Sequence, residues 1–433
     1  MILTIILAVL AIITMLIFIL KKPSIKIKNF TIDTFYLPII SIALILLIFP
    51  IFDKGEMLNI VFSSSPLNPI KILILFICVS MISIALDEAG FFSFIATIFI
   101  NKYKASQLKL FLVLYMVIAI LTIFTSNDIV ILTFTPFILY FSNKGKINPI
   151  PYLVMEFVAA NTYSMILSIG NPTNIYLASA FSLDFIDYFI NMIIPSLFVG
   201  ASSLIILLLL FKKELKKPIS SFDMNKSNIT NKPLCIICLI HLIITTLLLA
   251  ISNYLNLEMW IICLSLAISL LIFLIGFSIK RKTILYVTST LRRIPYSLIP
   301  FILGMFTIIM ALDSHNVFSY INEAFNALGK YIPLDVVYLY TSTLSCNIVN
   351  NIPMTLAFES ILSNTLNHQL VYATIIGSNI GAILTPVGAL AGIMWLRILK
   401  NNNIEYSFLD FMKNGIILTI GLLLASTIAI LII

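Results

Sequence analysis

Stretches of about twenty nearly uninterrupted apolar residues recur along the whole chain. Their length matches the hydrocarbon thickness of a bilayer. They predict membrane-crossing helices near 2–20, 35–52, 69–87, 150–178, 189–211, 234–252, 259–279, 295–312, 371–396 and 414–432. Two more apolar stretches, about 110–141 and 336–363, are broken in the middle by polar residues. The first carries Thr125-Ser126-Asn127-Asp128, and the second carries Asn347, Asn350 and Asn351 just before Pro353. A simple span does not place such a run at its centre, because a polar group left unpaired in hydrocarbon costs several kcal/mol.

Composition fixes the class, and charge sets the topology. Of 433 residues 61% are hydrophobic and 10% charged, with a mean hydropathy of +1.11. That is too little polar surface for a soluble globule, so an all-α polytopic membrane protein is expected. The first apolar run lacks a basic leader and a small-residue cleavage site, and reads as a span. Segments 21–30, 101–109, 143–149, 212–232, 280–293 and 397–413 hold 23 of the 26 basic residues. The positive-inside rule places them in the cytoplasm and both termini outside, in the cell membrane. The net charge of +8 then follows membrane topology and gives no reason to expect a nucleic-acid partner. Segments 101–109 and 143–149 fall on one side, so 110–141 must be a re-entrant hairpin with its tip near Thr125–Asp128. By the same parity 336–363 is a hairpin from the outside, tipped by Asn347–Pro353. About ten spans and two re-entrant hairpins result.

The halves also match in sequence. "ALDEAGFFSFI" (Ala85–Ile95) reads against "ALDSHNVFSYI" (Ala311–Ile321), and "ANTYSMILSIG" (Ala160–Gly170) against "SNIGAILTPVG" (Ser378–Gly388). The tips Asn127-Asp128 and Asn350-Asn351 fall between them in the same order. Each half crosses an odd number of times, so 1–220 and 221–433 are expected to be two inverted-topology repeats. Secondary transporters recur in this build, with the site near the midplane between broken helices. A channel or a non-transporting scaffold fits it less well.

The remaining breaks supply candidate chemistry. Ser168, Gly170, Asn171, Pro172, Thr173 and Asn174 interrupt the span at 150–178, and Gly381, Thr385, Pro386 and Gly388 interrupt that at 371–396. Proline removes a backbone donor and glycine tolerates unusual dihedrals, so both helices should unwind. Unwinding frees carbonyls for a cation and half-helix N-termini for oxygen-rich ligands. The candidate substrate- or ion-binding residues are therefore Thr125, Ser126, Asn127 and Asp128 with Ser168, Gly170, Asn171, Thr173 and Asn174 in the first half. In the second they are Asn347, Asn350, Asn351, Ser378, Asn379, Gly381, Thr385 and Gly388. Gly377 and Gly381 also match a small-xxx-small packing pattern.

Three carboxylates lie well inside apolar segments: Asp128, Glu156 and Glu359. An intramembrane acid is a functional candidate by default. Asp128, at a hairpin tip beside a polar cluster, is the first candidate for proton coupling. Glu156, on the helix that breaks at Asn171, is the second, and Glu359 falls nearer the membrane edge. Asp87 and Asp313, related by the repeat, read as caps of interfacial helices. The five cysteines and His241 read as packing residues, and Cys235-Ile-Ile-Cys238 has no second pair for zinc. No metal or cofactor is expected, and without a nucleotide-binding motif the energy must come from an ion gradient or a separate subunit. The chain is not expected to be an enzyme.

"LDEAGFF" (Leu86–Phe92), "SNDIVILTFTPFIL" (Ser126–Leu139), "NNIP" (Asn350–Pro353) and "LTPVGALAGIMWLRIL" (Leu384–Leu399) resemble bacterial arsenite efflux permeases. These belong to the wider ion-transporter superfamily of arsenite, sodium–proton and dicarboxylate carriers. The resemblance covers both halves and implies export of As(III) or Sb(III), small inorganic substrates, in exchange for protons. In some relatives a cytoplasmic ATPase couples to the permease, which leaves such a subunit open as a partner beside membrane lipid. Monomer and homodimer both stay open. "GNPTN" (Gly170–Asn174) looks more like the sodium–proton and carboxylate branches, and keeps a sodium-coupled alternative on the same scaffold. No Lys or Arg falls at the centre of a predicted span, which weighs against a dicarboxylate.

Overall fold

The computed structural model describes every residue except 23, 28–29, 63–67, 104–105, 220–228, 230, 253–254, 256, 364–366 and 433. Lys28, Lys104 and Lys226, used above for orientation, and the repeat boundary at 220/221 lie outside the described residues. The chain opens with α1 (Ile2–Lys21), β1 (Ser24–Ile27), β2 (Phe30–Asp33), α2 (Tyr36–Ile48) and α3 (Gly55–Phe62). Next come α4 (Pro69–Glu88), α5 (Phe91–Tyr103), the pair α6 (Gln107–Phe124) and α7 (Asn127–Gly145), and α8 (Ile150–Tyr163). A 3-10 turn (Ser168–Gly170) separates α8 from α9 (Pro172–Ala180), before α10 (Phe185–Leu210) and the short α11 (Lys212–Leu215).

The second half supplies α12 (Lys232–Ala250), α13 (Met259–Lys280) and α14 (Leu285–Arg293), and then repeats the order of the first. It runs α15 (Leu298–Asp313), α16 (Val317–Leu328), the pair α17 (Leu334–Val349) and α18 (Asn351–Leu362), and α19 (His368–Leu384). A 3-10 turn (Pro386–Gly388) again separates α19 from α20 (Leu390–Asn401), and α21 (Phe408–Ile432) ends the chain. The halves interlock, since α2 packs on α15 while α13 packs on α4.

Local chemistry starts these elements where it should. Asn68 accepts from the Ile70 N–H at 2.9 Å ahead of Pro69, giving α4 a capped, proline-led start. Asp184 does the same for α10 through Ile186 N–H at 2.7 Å. The hairpins turn differently. The first passes through extended residues Thr125 and Ser126, and the second through Asn350 alone, at φ 75°. With ψ at 156° this is a conformation that side chains rarely adopt, distinct from the left-handed helical region that asparagine favours.

Among the described residues eight helices are long and apolar enough to cross a membrane, counting α14 with α15 as one. The others predicted as spans are short, as α2 is, or broken, as α8–α9 and α19–α20 are. The outer helices expose apolar side chains such as Ile2, Ile205 and Ile279, as lipid-facing surfaces do. Three features depart from the sequence reading. The segment 21–30 lies largely in the antiparallel β1–β2 hairpin, so the fold carries one small sheet. The basic segment 280–293 is mostly helix α14. Asp87 caps nothing: it sits in the last turn of α4, whereas α5 starts at Phe91, and its carboxylate is bound elsewhere.

Gly381 of α19 faces α17 so closely that a Cβ would lie 2.7 Å from the Thr343 carbonyl oxygen and 2.9 Å from Cys346 Cβ. Backbone cannot yield that much, so the small-xxx-small pattern here is a packing device. Gly381→Leu should destabilise the purified protein by about 1–3 kcal/mol or prevent monodisperse folding. Gly276→Leu, with nothing within 4 Å of the added Cβ, should leave thermal unfolding in detergent unchanged.

Candidate functional site

The two broken helices and the first hairpin tip meet through asparagines. Asn127, first residue of α7, donates to Asn161 Oδ1 of α8 at 3.1 Å. The Asn161 carbonyl accepts from Ser164 Oγ at 2.9 Å, and that hydroxyl also reaches Asn379 Oδ1 of α19 at 3.1 Å. Asn171 donates to the same Asn379 oxygen at 2.8 Å. The Asn379 amide nitrogen donates to Asn174 Oδ1 at 2.8 Å and to the Ile375 carbonyl at 2.8 Å. Asn174 closes the ring by donating to the Ser164 carbonyl at 2.9 Å. Thr173 hangs on its edge, its N–H on Asn171 Oδ1 at 3.3 Å. These amides are buried, so each bond replaces one that water would have made.

A second cluster ties the other hairpin to its own broken helix. Asn347 donates to the Gly381 carbonyl at 3.0 Å and accepts from Thr385 Oγ1 at 2.7 Å. Asn350 donates to the Val387 carbonyl at 2.8 Å. A Cβ on Gly388 would meet the Gly381 carbonyl oxygen and Asn347 Oδ1, so the turn needs glycine for this approach. Asn351 and Ser168 are buried beside their clusters, and Thr125 is spent on the Leu121 carbonyl at 2.7 Å within α6. Ser126, Thr162 and Ser378 hold buried hydroxyls with no partner, so the site keeps unused hydrogen-bonding capacity.

The acids separate. Asp128 lies in the first turn of α7, where the helix dipole favours a negative charge, and lines a cavity of about 720 Å³ together with Ser126. Glu156 is fully buried away from that cavity, accepting from Thr135 Oγ1 at 3.1 Å, with the Trp395 indole N–H facing it without closing a hydrogen bond. Glu359 is buried, faces the Tyr176 hydroxyl and has Asp313 close by. Asp87 accepts from Thr133 Oγ1 of α7 at 2.8 Å and pairs with Arg293 at 2.7 Å, while Glu88 takes the other guanidinium nitrogen at 2.6 Å.

Sequence reasoning missed Arg292, Arg293 and Arg397, which line the cavity that holds Asp128. Their place at the ends of apolar runs marked them as topology charges, yet α14 and α20 carry them onto its wall. It also left Asn161 and Ser164 off the site, although Asn161 stood aligned with Asn379 in the repeat. Both asparagines donate to the carbonyl four residues back, Phe157 and Ile375, at 2.8 Å.

A family model for citrate transporters matches residues 1–369. The chain belongs to the citrate-transporter family. Within the family's reach are also arsenical pump membrane proteins. That of Escherichia coli (strain K12) is 27% identical over 361 residues, covering 80% of this chain and 83% of the relative. That of Yersinia enterocolitica is 26% identical over the same length and shares. The YdaH transporter of Alcanivorax borkumensis, whose crystal structure shows an unusual topology, superposes with a TM-score of 0.60 over 99% of this chain and 97% of that one. At 13% identity it shows the shared fold alone. This member of the citrate-transporter family is thus a multi-pass membrane transporter related to the arsenical pumps.

Asn379→Ala would take the acceptor from the Asn171 amide nitrogen and the Asn379 donor from the Asn174 amide oxygen, while Ser164 keeps its bond to the Asn161 carbonyl. Each unpaired buried polar group costs about 1–3 kcal/mol. The variant should unfold well below the wild type in a detergent melt, whereas Asn402→Ala, exposed at the end of α20, should not shift the transition.

Proposed function

We propose that this protein exports arsenite and antimonite in exchange for protons, with Asp128 carrying the proton and the asparagine ring receiving the substrate. One observation carries the reading: the same hairpin tip presents Asp128 to the cavity and Asn127 to the buried ring. As(OH)₃ is neutral and hydroxylated at physiological pH, so amide and hydroxyl groups suit it. The three unpartnered hydroxyls supply bonding that the fold itself does not use. A proton moving down about 100 mV supplies roughly 2.3 kcal/mol, enough for about a fifty-fold gradient. The relatedness to arsenical pumps supports the substrate class, and Glu156 stands as a second, structural acid. In this reading the six basic segments face the cytoplasm and the halves 1–220 and 221–433 are inverted repeats.

Two unequal cavities support an alternating-access reading. The 720 Å³ cavity lies between α4, α15 and the first hairpin with α20. The elements that the repeat pairs with these, α18 and α9 against α15 and α4, enclose only about 20 Å³. Phe76 of α4 lines both. We read this as a state open toward the basic side and closed toward the other.

A second reading, a small carboxylate or other anion moved with sodium or protons, is favoured by the arginines of the cavity wall. Everted vesicles or proteoliposomes offered arsenite, antimonite, citrate and sodium, with and without a pH gradient, distinguish the two. Proton-driven As(III) flux is expected; citrate flux without As(III) movement would sink the first reading. Asp128→Asn should leave the protein folded and abolish acceleration by the pH gradient. Wild-type pH dependence in that variant would remove Asp128 from coupling.

A further inference from the structure

The span α13 ends at Lys280, and the next thirteen residues run Arg281, Lys282, α14 and its terminal Arg292 and Arg293, without one acidic residue. The segment is amphipathic in an unusual way for a connection. Ile279 is 73% exposed, Ile284 68% and Leu285 64%. Leu285, Thr288 and Arg292 recur at three- and four-residue spacing, so they share one face of α14. Arg293 turns inward to Asp87 and Glu88 and anchors the helix to α4. The other four basic residues have no carboxylate within ion-pairing distance among the described residues.

Exposed large aliphatic side chains beside four uncompensated cations suit a surface that is apolar below and anionic above. A soluble anion would account for the cations and leave the aliphatic face wet. The apolar part of the large cavity, with Ile19, Phe35 and Leu298, continues the same surface inward from Arg292. Juxtamembrane basic clusters on amphipathic helices gain about 1 kcal/mol per cation from anionic lipid. We propose that Lys280, Arg281, Lys282 and Arg292 form a binding site for anionic phospholipid headgroups, with Ile284 and Leu285 set among the acyl chains. Lipid seated there holds α14 in place, and with it the Arg293 clamp on the wall of the cavity that contains Asp128. The site needs only that the chain sits in a bilayer, so it stands or falls apart from the substrate reading.

The test is lipid binding by the purified full chain, with no transport step. Retention of phosphatidylglycerol and of phosphatidylcholine is measured in detergent by native mass spectrometry. Wild type should prefer phosphatidylglycerol, and each of Arg281→Gln and Arg292→Gln should lower that affinity about five-fold. Combining them with Lys280→Gln and Lys282→Gln should erase the preference. Neutralising Lys212, Lys213, Lys216 and Lys217 to Gln, an equally basic segment elsewhere, should leave it intact. Equal loss in that control, or an undiminished preference in the α14 variants, would overturn the site. Competition by water-soluble glycerol phosphate as strong as by the lipid would make it a soluble-anion site and overturn the lipid assignment.

Discussion

A helix that stops inside hydrocarbon leaves backbone donors and acceptors that no water can reach, and every such group must find protein. This chain stops four times, at Thr125, near Gly170, at Asn350 and near Gly388, and answers each time with asparagine or a close-packed glycine. The amide suits the task because it offers donors and acceptors on one short, uncharged arm. Asn379 makes four such bonds and spends its capacity on holding α8, α9 and α19 together. Beside it the hydroxyls of Ser126, Thr162 and Ser378 are left without a partner among the described residues.

The helical membrane fold was legible because it rests on a long-range regularity, apolar runs of bilayer length. Polar residues at hairpin tips and breaks stood out against an apolar background, and the structure gathers Asn127, Asn171, Asn174 and Asn379 into one ring. What stayed hidden depends on where a side chain points after packing. Glu156 stood second to Asp128 as a proton-coupling candidate, and α8 turns it into the core against Thr135. Asp87 looked like a cap because it ends a helix, but its partners Thr133 and Arg293 are far away along the chain. The arginines were read as markers of orientation, since nothing in a linear string says that α14 and α20 fold back beside the first hairpin.

Charge around the large cavity is correspondingly arranged rather than simply positive. Arg293 is neutralised by Asp87 and Glu88, and Arg397 has Asp33 at 3.7 Å, while Asp128 sits deeper among apolar residues and Ser126. Guanidinium groups and the Asp128 carboxylate thus line one cavity. The small cavity is lined instead by Tyr176, whose hydroxyl faces Glu359. Phe76 of α4 lines both the large cavity and the small one.

The bonds of the asparagine joint run between the halves: Ser164, Asn171 and Asn174 belong to one and Asn379 to the other, just as α2 lies on α15 and α13 on α4. In a dimer of two half-length chains the same contacts would be intersubunit contacts. The covalent connection after α10 then acts chiefly through effective concentration, turning a bimolecular encounter into an intramolecular one. It also guarantees one copy of each half. That matters because the tips differ: a pair of first halves would bring two copies of Asp128, and a pair of second halves none. A single chain makes the acidic tip and the amide tip obligate companions.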